Sequence, residues 1–145
     1  MNNLTQRFCM TLVLFFTTFI LASVTHAEIA IIVNKASPLT AAQASDIQRV
    51  YLGKTQKIDG TAVTPINQTK NTSLSDTFNK VVLNKSGNQV KAYWSKLIFT
   101  GKGTPPQELN NDVEVINAVR GDVNAIGYID ANLVDDTINV ILTLE

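Results

Sequence analysis

The sequence predicts an α/β domain in which a mostly parallel central sheet is flanked by helices. Aliphatic segments of strand length alternate with amphipathic segments of helix length along the chain, which is the pattern of such folds. The first aliphatic segment, "EIAIIVN" at 28–34, is apolar at almost every position. A strand of that composition is covered on both faces, so we expect it to be parallel or central in the sheet.

A first helix is predicted in the segment "TAAQASDIQRVYLG" at 40–53. Thr40 is its expected N-cap, and Gly53 is expected to end it. Three apolar side chains recur there at helical spacing and should face the core: Ile47, Val50 and Tyr51.

A turn and a second strand are predicted next. Asp59-Gly60 is a turn signal, and "AVTPI" at 62–66 has the composition of a short strand. Because proline has no N–H to donate, Pro65 should lie near a sheet edge or near the C-terminal end of this strand.

The second half of the chain predicts three helices and then two strands. The helices run from about Ser73 to Leu83, from near Asn88, and from a cap at Asn110 or Asn111 to Gly121. The segment "TGKGTPPQEL" is predicted to be a loop, and "NAIGYID" and "NVILTL" are predicted strands. The predicted order is therefore β-α-β-α-α-α-β-β.

The aromatic pair Tyr93-Trp94 lies in the second of these helices. Both side chains fall within a helical repeat of apolar residues, so we assign them to core packing rather than to stacking on a ligand.

Residues 1–27 have the three-part pattern of a secretory signal peptide. A polar start with Arg7 precedes an apolar run at 8–24, and "VTHA" offers a small-residue cleavage site after Ala27. The alternative is an uncleaved membrane anchor, but the cleavage site favours removal. No lipobox precedes Cys9, which argues against a lipid anchor. We therefore predict export to the periplasm and one domain at 28–145.

The composition after cleavage excludes several classes of chemistry. The only cysteine and the only histidine, Cys9 and His26, both lie in the leader. Residues 28–145 therefore cannot form a disulfide, a cysteine nucleophile, a Ser-His-Asp triad or a histidine- or cysteine-ligated metal site. Removing the leader takes away Arg7 and no acidic residue, which leaves 11 basic and 12 acidic side chains. A balance without basic clusters gives no support for nucleic-acid binding.

Three segments follow predicted strands, where open α/β sheets place their ligands. They are Asn34 to Thr40, Asn67 to Asp76, and Tyr128 to Asp130. The middle segment is the most suggestive, because it leads into a helix whose first N–H groups have no partner within the helix. Hydroxyl groups at Thr72, Ser73 and Ser75 add further donors. Together they can hold an oxyanion without a metal.

The competing interpretation of the middle segment is an ordinary helix cap. Ser73 is followed three residues later by Asp76, a spacing that resembles a capping box and satisfies those N–H groups within the chain. From the residues alone we favour the cap. Lys70 can supply a positive charge to an anion there, although an isolated lysine is usually only solvated surface.

No motif predicts a cofactor, a metal site or an enzyme. Asp130 and the pair Asp135-Asp136 lack the spacing of a calcium loop, so turn and surface roles are expected for them. The sequence contains no P-loop, no dinucleotide fingerprint and no Ser-x-x-Lys motif.

Several segments together resemble the phosphate-binding proteins of ABC transporters, in the type 2 periplasmic binding protein superfamily. The longest is "VNKASPLTAAQASDIQRVYLGKTQKIDGTAVTPIN" at 33–67. Four short motifs follow in the family's order: Thr77-Phe78, Tyr93-Trp94, Phe99-Thr100-Gly101, and Ala125-Ile126-Gly127-Tyr128.

This resemblance implies a single-lobe, three-layer sandwich that binds solute in the periplasm without catalysis. Members of the family have two such lobes, which close on the anion, whereas residues 28–145 suffice for one. The resemblance also implies weak binding of phosphate or a similar oxyanion, in transport or sensing with a membrane permease or sensor. The alternative is an interaction module that binds no ligand and docks on such a membrane partner.

The binding residues are implied by the same comparison. The family turn, Gly-Ser-Gly/Ala-Thr/Leu-Arg, corresponds here to Asn71-Thr72-Ser73-Leu74-Ser75, so a serine stands where the family has its anion-binding arginine. The loss of a bidentate guanidinium weakens any phosphate contact. The expected ligand-binding residues are Ala36, Ser37, Asn67, Asn71, Thr72, Ser73, Ser75 and Tyr128.

Overall fold

The structure, a computed structural model, describes residues 28–69 and 72–145. The predicted leader at 1–27 lies outside the described residues, as do Lys70 and Asn71. The elements in chain order are β1 (Ile29–Asn34), α1 (Ala44–Tyr51), β2 (Lys57–Ile58), β3 (Thr61–Ala62), β4 (Thr64–Gln68), α2 (Ser73–Val81), α3 (Gly87–Phe99), β5 (Gln107–Leu109), α4 (Asp112–Gly121), β6 (Ala125–Asp130), a 3-10 turn (Ala131–Leu133) and β7 (Ile138–Leu144).

The main sheet has five strands in the order β5-β4-β6-β1-β7. Strand β4 pairs in parallel with β5 and β6, whereas β1 pairs antiparallel with β6 and β7. Four of the five strands therefore point the same way, which confirms the mostly parallel sheet, and β1 alone is reversed. Strand β1 lies inside the sheet, as its apolar composition predicted.

Helices cover both faces of this sheet, so the architecture is a three-layer sandwich. Side chains of β1 alternate between the layers: Ile29, Ile31 and Val33 pack with α1, α2 and α3, whereas Ala30 and Ile32 pack with α4. Burial of apolar surface on both sides is the main force that stabilises such a sheet. Within the described residues, no helix is both long and apolar enough to cross a membrane.

Helix α1 begins later than predicted. Its N-cap is Gln43 rather than Thr40. The reason is a contact with the edge strand: the Ala42 N–H donates to the Ile141 carbonyl of β7 at 3.1 Å, which keeps the preceding residues extended. The predicted end of the helix is confirmed, because Gly53 has a φ of 65°, a conformation that glycine adopts without strain.

The second strand is shifted two residues toward the C-terminus relative to the prediction and lies inside the sheet. It extends to Gln68, because β5 pairs with it from Ile66 onward. Pro65 is its second residue, not near its C-terminal end, and pairs only with β6. Since β5 does not reach this position, the missing proline N–H disrupts no pairing on that side.

Two short pairings were not predicted as strands. Residues Asp59 and Gly60, with φ of 47° and 81°, form the predicted turn, and it joins β2 to β3. Strand β5 lies in the segment predicted to be a Gly/Pro loop. With three residues it is too short to produce a recognisable period in the sequence.

Candidate oxyanion site at the carboxyl edge of the sheet

Strands β4, β5 and β6 end at one edge of the sheet because they run in parallel. Helix α2 follows β4, helix α4 follows β5, and the 3-10 turn follows β6. This carboxyl edge therefore gathers the first turns of α2 and α4, whose unpaired N–H groups and dipoles favour anions.

The first turn of α2 is capped by Thr72. The Thr72 hydroxyl accepts the Ser75 N–H at 3.0 Å, and the Ser75 hydroxyl donates to the Thr72 carbonyl at 3.1 Å. The capping interpretation is therefore correct in kind, but the cap is Thr72 and not the pair of Ser73 and Asp76. Ser75 is only 2% exposed and its hydroxyl already donates within the chain, whereas the Thr72 hydroxyl is engaged as an acceptor.

Donors remain at the first two positions of α2. The backbone N–H groups of Ser73 and Leu74, and the hydroxyl of Ser73, have no hydrogen-bond partner among the residues described. Ser73 is exposed at the surface. Three neutral donors at the positive end of a helix are the chemical basis of an anion contact that needs no metal.

Asn67 adds a fixed donor beside this turn. Its Oδ1 accepts the Tyr128 hydroxyl at 2.6 Å and the Gln68 N–H at 3.0 Å. These two donors fix the orientation of the amide, because only its oxygen can accept them. In the described part of the chain Nδ2 has no hydrogen-bond partner, so it can donate to a ligand. Asn67 and Ser75 line the same cavity, so the end of β4 lies beside the first turn of α2.

Tyr128 lies in the core beneath Asn67 and positions its side chain. It is fully buried, and its ring stacks on Phe78 with centroids 3.9 Å apart and planes 4° from parallel. Burial raises the pKa of the Tyr128 hydroxyl well above its ordinary value, and the nearby carboxylates of Glu108 and Asp112 add to the rise, while the bond from the Gln68 N–H opposes it. The hydroxyl therefore stays protonated and acts as a donor to Asn67 rather than as a ligand contact.

Sequence reasoning missed a buried polar cluster at this edge. The Gln68 side chain donates to Asp112 Oδ1 at 2.8 Å and to the Tyr128 carbonyl at 3.0 Å, and the Asp130 N–H donates to the same Asp112 oxygen at 3.2 Å. These bonds join the ends of β4 and β6 to the start of α4. Nothing in the sequence marked Gln68, because β4 was predicted to end before it.

Ala36 and Ser37 do not join this site. They follow β1, which is reversed, so they lie at the opposite edge of the sheet. There the Asn34 side chain donates to the Val119 and Arg120 carbonyls at 2.9 Å each and accepts the Ala36 N–H at 2.8 Å. By strand register Asn34 is three residues from the level of Asn67, about 10 Å along the strands. The structure therefore does not bring Ala36 and Ser37 together with Asn67.

The acidic residues late in the chain have the turn and surface roles expected of them. Asp130 accepts the Asn132 N–H at 2.9 Å, and Asp135 pairs with Arg120 at 2.6 Å. Hydrogen bonds from Thr137 lower the pKa of Asp135, and Arg120 lowers it further. In the described residues no three metal-ligating side chains come together.

Comparison with solved structures identifies proteins that have a similar fold. The chain is similar to a protein from Clostridium perfringens that is described as a phosphate ABC transporter substrate-binding protein and was solved with bound phosphate. The TM-score is 0.64 and the sequence identity is 20%, over 79% of this chain and 45% of that one. It is also similar to PstS from Borrelia burgdorferi, at a TM-score of 0.59 and 15% identity over 79% and 47%. An ABC-type phosphate transport receptor from Vibrio cholerae matches at a TM-score of 0.51 and 17% identity, over 79% of this chain and 46% of that one.

These neighbours confirm the fold that the sequence motifs predicted. The chain has the α/β architecture of phosphate ABC transporter binding proteins and spans less than half the length of each of these structures. The sequence matches no protein-family profile. No curated protein matches it either.

Proposed function

We propose that this chain is a non-catalytic, solute-binding-type protein of the periplasm that binds phosphate or a similar small oxyanion weakly. The observation that supports this is the first turn of α2, which keeps the N–H groups of Ser73 and Leu74 and the Ser73 hydroxyl available beside Asn67 Nδ2. It does so in a fold shared with proteins that take part in phosphate transport.

The expected affinity is low for two physical reasons. Every donor identified at the described part of the site is neutral, and Ser75 occupies the position of the family arginine, so no guanidinium adds a charge-assisted bond. The site also lies on an exposed edge of the described domain, with Ser73 at the surface. Coulombic and hydrogen-bond contacts to an anion are weaker in water than in an enclosed site.

Thermal unfolding of residues 28–145 in phosphate tests this proposal, with sodium chloride at matched ionic strength as the reference. A site with a millimolar dissociation constant gives about 1.4 kcal/mol of stabilisation at ten times that concentration, which corresponds to a shift of several degrees. Sulfate tests whether the site distinguishes oxyanions.

Two variants locate the site in the same experiment. Ser73→Ala removes an exposed hydroxyl that has no described partner, and we expect it to reduce the phosphate-dependent shift. Ser45→Ala is the matched control, because Ser45 is an exposed serine in the first turn of α1. No shift with any oxyanion, in a protein that unfolds cooperatively, overturns the binding proposal.

The alternative function is an interaction module that docks on a membrane sensor or permease. One observation favours it: Thr72 and Ser75 already bond to each other, so the part of this turn that they form is satisfied without a ligand. A folded protein that responds to no oxyanion, wild type and Ser73→Ala alike, is the result expected from this alternative.

A further inference from the structure

Helix α3 ends on an exposed aromatic side chain. Phe99, its last residue, is 93% exposed, and the preceding Ile98 is 55% exposed. Phe99 follows the buried Val90 by about two and a half helical turns, so it lies on the side of α3 that faces away from the core. Isolated apolar residues are common on protein surfaces, so the meaning of this pair depends on the charges around it.

Positive charge is concentrated in the same part of the chain. Residues 77–107, which include all of α3, contain no acidic residue and five lysines: Lys80, Lys85, Lys91, Lys96 and Lys102. Because residues 28–145 hold 11 basic and 12 acidic side chains, the remainder holds six basic and twelve acidic ones. Helix α4, on the other face of the sheet, carries Asp112 and Glu114 in its first turn. The α3 layer can therefore attract an anionic surface although the domain as a whole is not basic.

Two of these lysines flank Phe99 directly. Lys96 lies three residues before it, close to one turn of the helix, and Lys102 lies three residues after it; both are exposed. We refer to Lys96, Ile98, Phe99 and Lys102 as the α3 tip. Lys91 is left out of this surface, because it lines cavities whose walls also contain the carboxylates of Asp76 and Glu108.

A third lysine lies at this end of the helix. Gly53 and Gly103 both lie against the Trp94 ring, since a Cβ at either position would come within 2.8 Å and 3.3 Å of it. The chain neighbours of these glycines, Lys54 and Lys102, therefore lie near each other, and Lys54 is exposed. The apolar pair at the tip thus has lysines from two separate segments beside it.

The α3 tip lies at the opposite end of the domain from the proposed oxyanion site. Helix α3 starts near the carboxyl edge, where Gly87 and Ser75 line one cavity. It then passes Thr64 and Pro65 at the start of β4, which line a cavity with Trp94. Twelve residues of helix separate Gly87 from Phe99, a rise of about 18 Å. A partner bound at the tip therefore leaves the carboxyl edge open.

We propose that the α3 tip is a docking surface for an anionic lipid bilayer. Phe99 and Ile98 enter the headgroup layer, and the lysines keep their apolar stems beside them while their ammonium groups contact lipid phosphates. All five cations of residues 77–107 are lysines. A lysine acts as a point charge without the fixed bidentate geometry of arginine, which suits a fluid array of phosphates better than the fixed carboxylates of an acidic protein.

Cosedimentation of residues 28–145 with vesicles tests this proposal. The vesicles contain equal parts of phosphatidylglycerol and phosphatidylcholine, with pure phosphatidylcholine as the reference. Residues 1–27 are left out because their apolar run would bind lipid by itself. We expect saturable binding to the anionic vesicles that weakens as salt is added, and little binding to the neutral ones. No preference for anionic vesicles, in a protein that unfolds cooperatively, overturns the proposal.

Phe99→Ser tests the apolar part of the tip. It should weaken vesicle binding at least fivefold, because the side chain that leaves water in the bound state is lost. Val113→Ser is the matched control, since Val113 is an exposed apolar residue of α4, at 63%. Both positions are at the surface, so the melting temperature should stay the same in both variants. Equal loss of binding in the two variants contradicts the assignment.

A pair of double variants tests the charges at constant net charge. Lys96→Gln/Lys102→Gln should weaken binding roughly tenfold or more, since each lysine held near an anionic surface contributes about fivefold. Lys80→Gln/Lys85→Gln removes the same charge beside the start of α3, where both residues line one shallow depression with Ser86. Salt screens charges at that distance from the tip, so this control should bind almost as wild type does. An equal loss shows a general charge effect and overturns the assignment to the tip.

Phe99→Trp distinguishes insertion from attraction at a distance. Trp94 is the only native tryptophan and is buried, so it gives a constant background. On anionic vesicles we expect the emission of the variant to shift to shorter wavelength. Binding without that shift, or equally tight binding to soluble polyglutamate, indicates an acidic partner instead and overturns the bilayer proposal. Self-association that Phe99→Ser abolishes, in a protein that binds no vesicles, also overturns it.

The proposed phosphate site can fail or hold separately. The α3 tip contains none of Ser73, Leu74 and Asn67, so Phe99→Ser should leave the phosphate-dependent thermal shift unchanged. Ser73→Ala should likewise leave vesicle binding unchanged.

Discussion

The hydroxyl of Tyr128 fixes the orientation of the Asn67 amide, so that the amide nitrogen and not the oxygen is left for a ligand. The sequence placed both residues in the binding set, but burial assigns them different roles. Tyr128 is enclosed by Phe78 and Gln68, and it donates to Asn67 Oδ1 at 2.6 Å. Asn67 then presents Nδ2 at the carboxyl edge. Tyr128 is thus a positioning residue for the candidate site.

Asn67→Asp tests that role with almost no change of shape. The new carboxylate can accept both the Tyr128 hydroxyl and the Gln68 N–H, so the fold should persist. It replaces the outward donor with a negative oxygen, and we expect phosphate binding to fall at least tenfold, which is about 1.4 kcal/mol. Asn117→Asp is the control, because it adds the same charge on exposed α4. Equal loss in both variants would show a general charge effect instead.

The buried tyrosines predict how stability depends on alkaline pH. Burial raises the pKa of both Tyr51 and Tyr128 in the folded protein, whereas an unfolded tyrosine ionises near pH 10. Below about pH 10 both states hold the proton, so the full stability is present. Above it the unfolded state loses protons first, and unfolding free energy should fall by about 1.4 kcal/mol per pH unit for each tyrosine.

Urea unfolding above pH 10 measures this slope. Tyr128→Phe should remove one tyrosine's share of it, and the difference between variant and wild type cancels the contribution of lysines that titrate in the same range. The Gln68 N–H keeps its Asn67 acceptor in the variant, so the site region stays paired. An unchanged slope in Tyr128→Phe would contradict the assignment of a raised pKa to this group.

At the scale of elements, the contact between α4 and β6 depends on Gly127. A Cβ at that position would lie 2.5 Å from Val115 Cγ1, closer than real contacts allow. We expect Gly127→Ala to destabilise the protein by about 1–3 kcal/mol through overpacking. Val115→Ala should itself be destabilising because Val115 is fully buried.

The double variant Gly127→Ala/Val115→Ala identifies the cause. If the two methyl groups compete for one space, the double variant should be less destabilised than the sum of the single variants, as measured by chemical denaturation. Strictly additive losses would show that Gly127 is needed for its backbone and not for the close approach of α4.

Local signals predicted the helices well, and non-local pairing limited the prediction of the sheet. Gly53 ended α1 and Asn111 capped α4 as expected, since those signals act within one turn. The direction of β1 depends on its partners β6 and β7, which lie about a hundred residues away in sequence. This reversal is what separates Ala36 and Ser37 from Asn67.

The candidate residues were predicted in part for the same reason. Asn67, Thr72 and Ser75 come together because β4 leads into α2, a local connection. Gln68 was missed because β4 was predicted to end at Ile66, and because its bond to Asp112 joins positions 44 residues apart in the sequence.

The described residues form a single domain-sized sheet with one open carboxyl edge. The chain matches less than half of each of the three phosphate-transport structures described above, all at 20% identity or lower. The site that we propose for the described domain is a weak, exposed oxyanion site at the start of α2.

A residue-resolved phosphate titration of ¹⁵N-labelled protein by NMR tests the proposed site at the start of α2. We expect saturable shifts in the millimolar range at the backbone amides of Ser73 and Leu74 and at the Asn67 side-chain amide, with no comparable change at Ala36 or Ser37. An absence of shifts at tens of millimolar phosphate, or shifts confined to the opposite edge of the sheet, would contradict it.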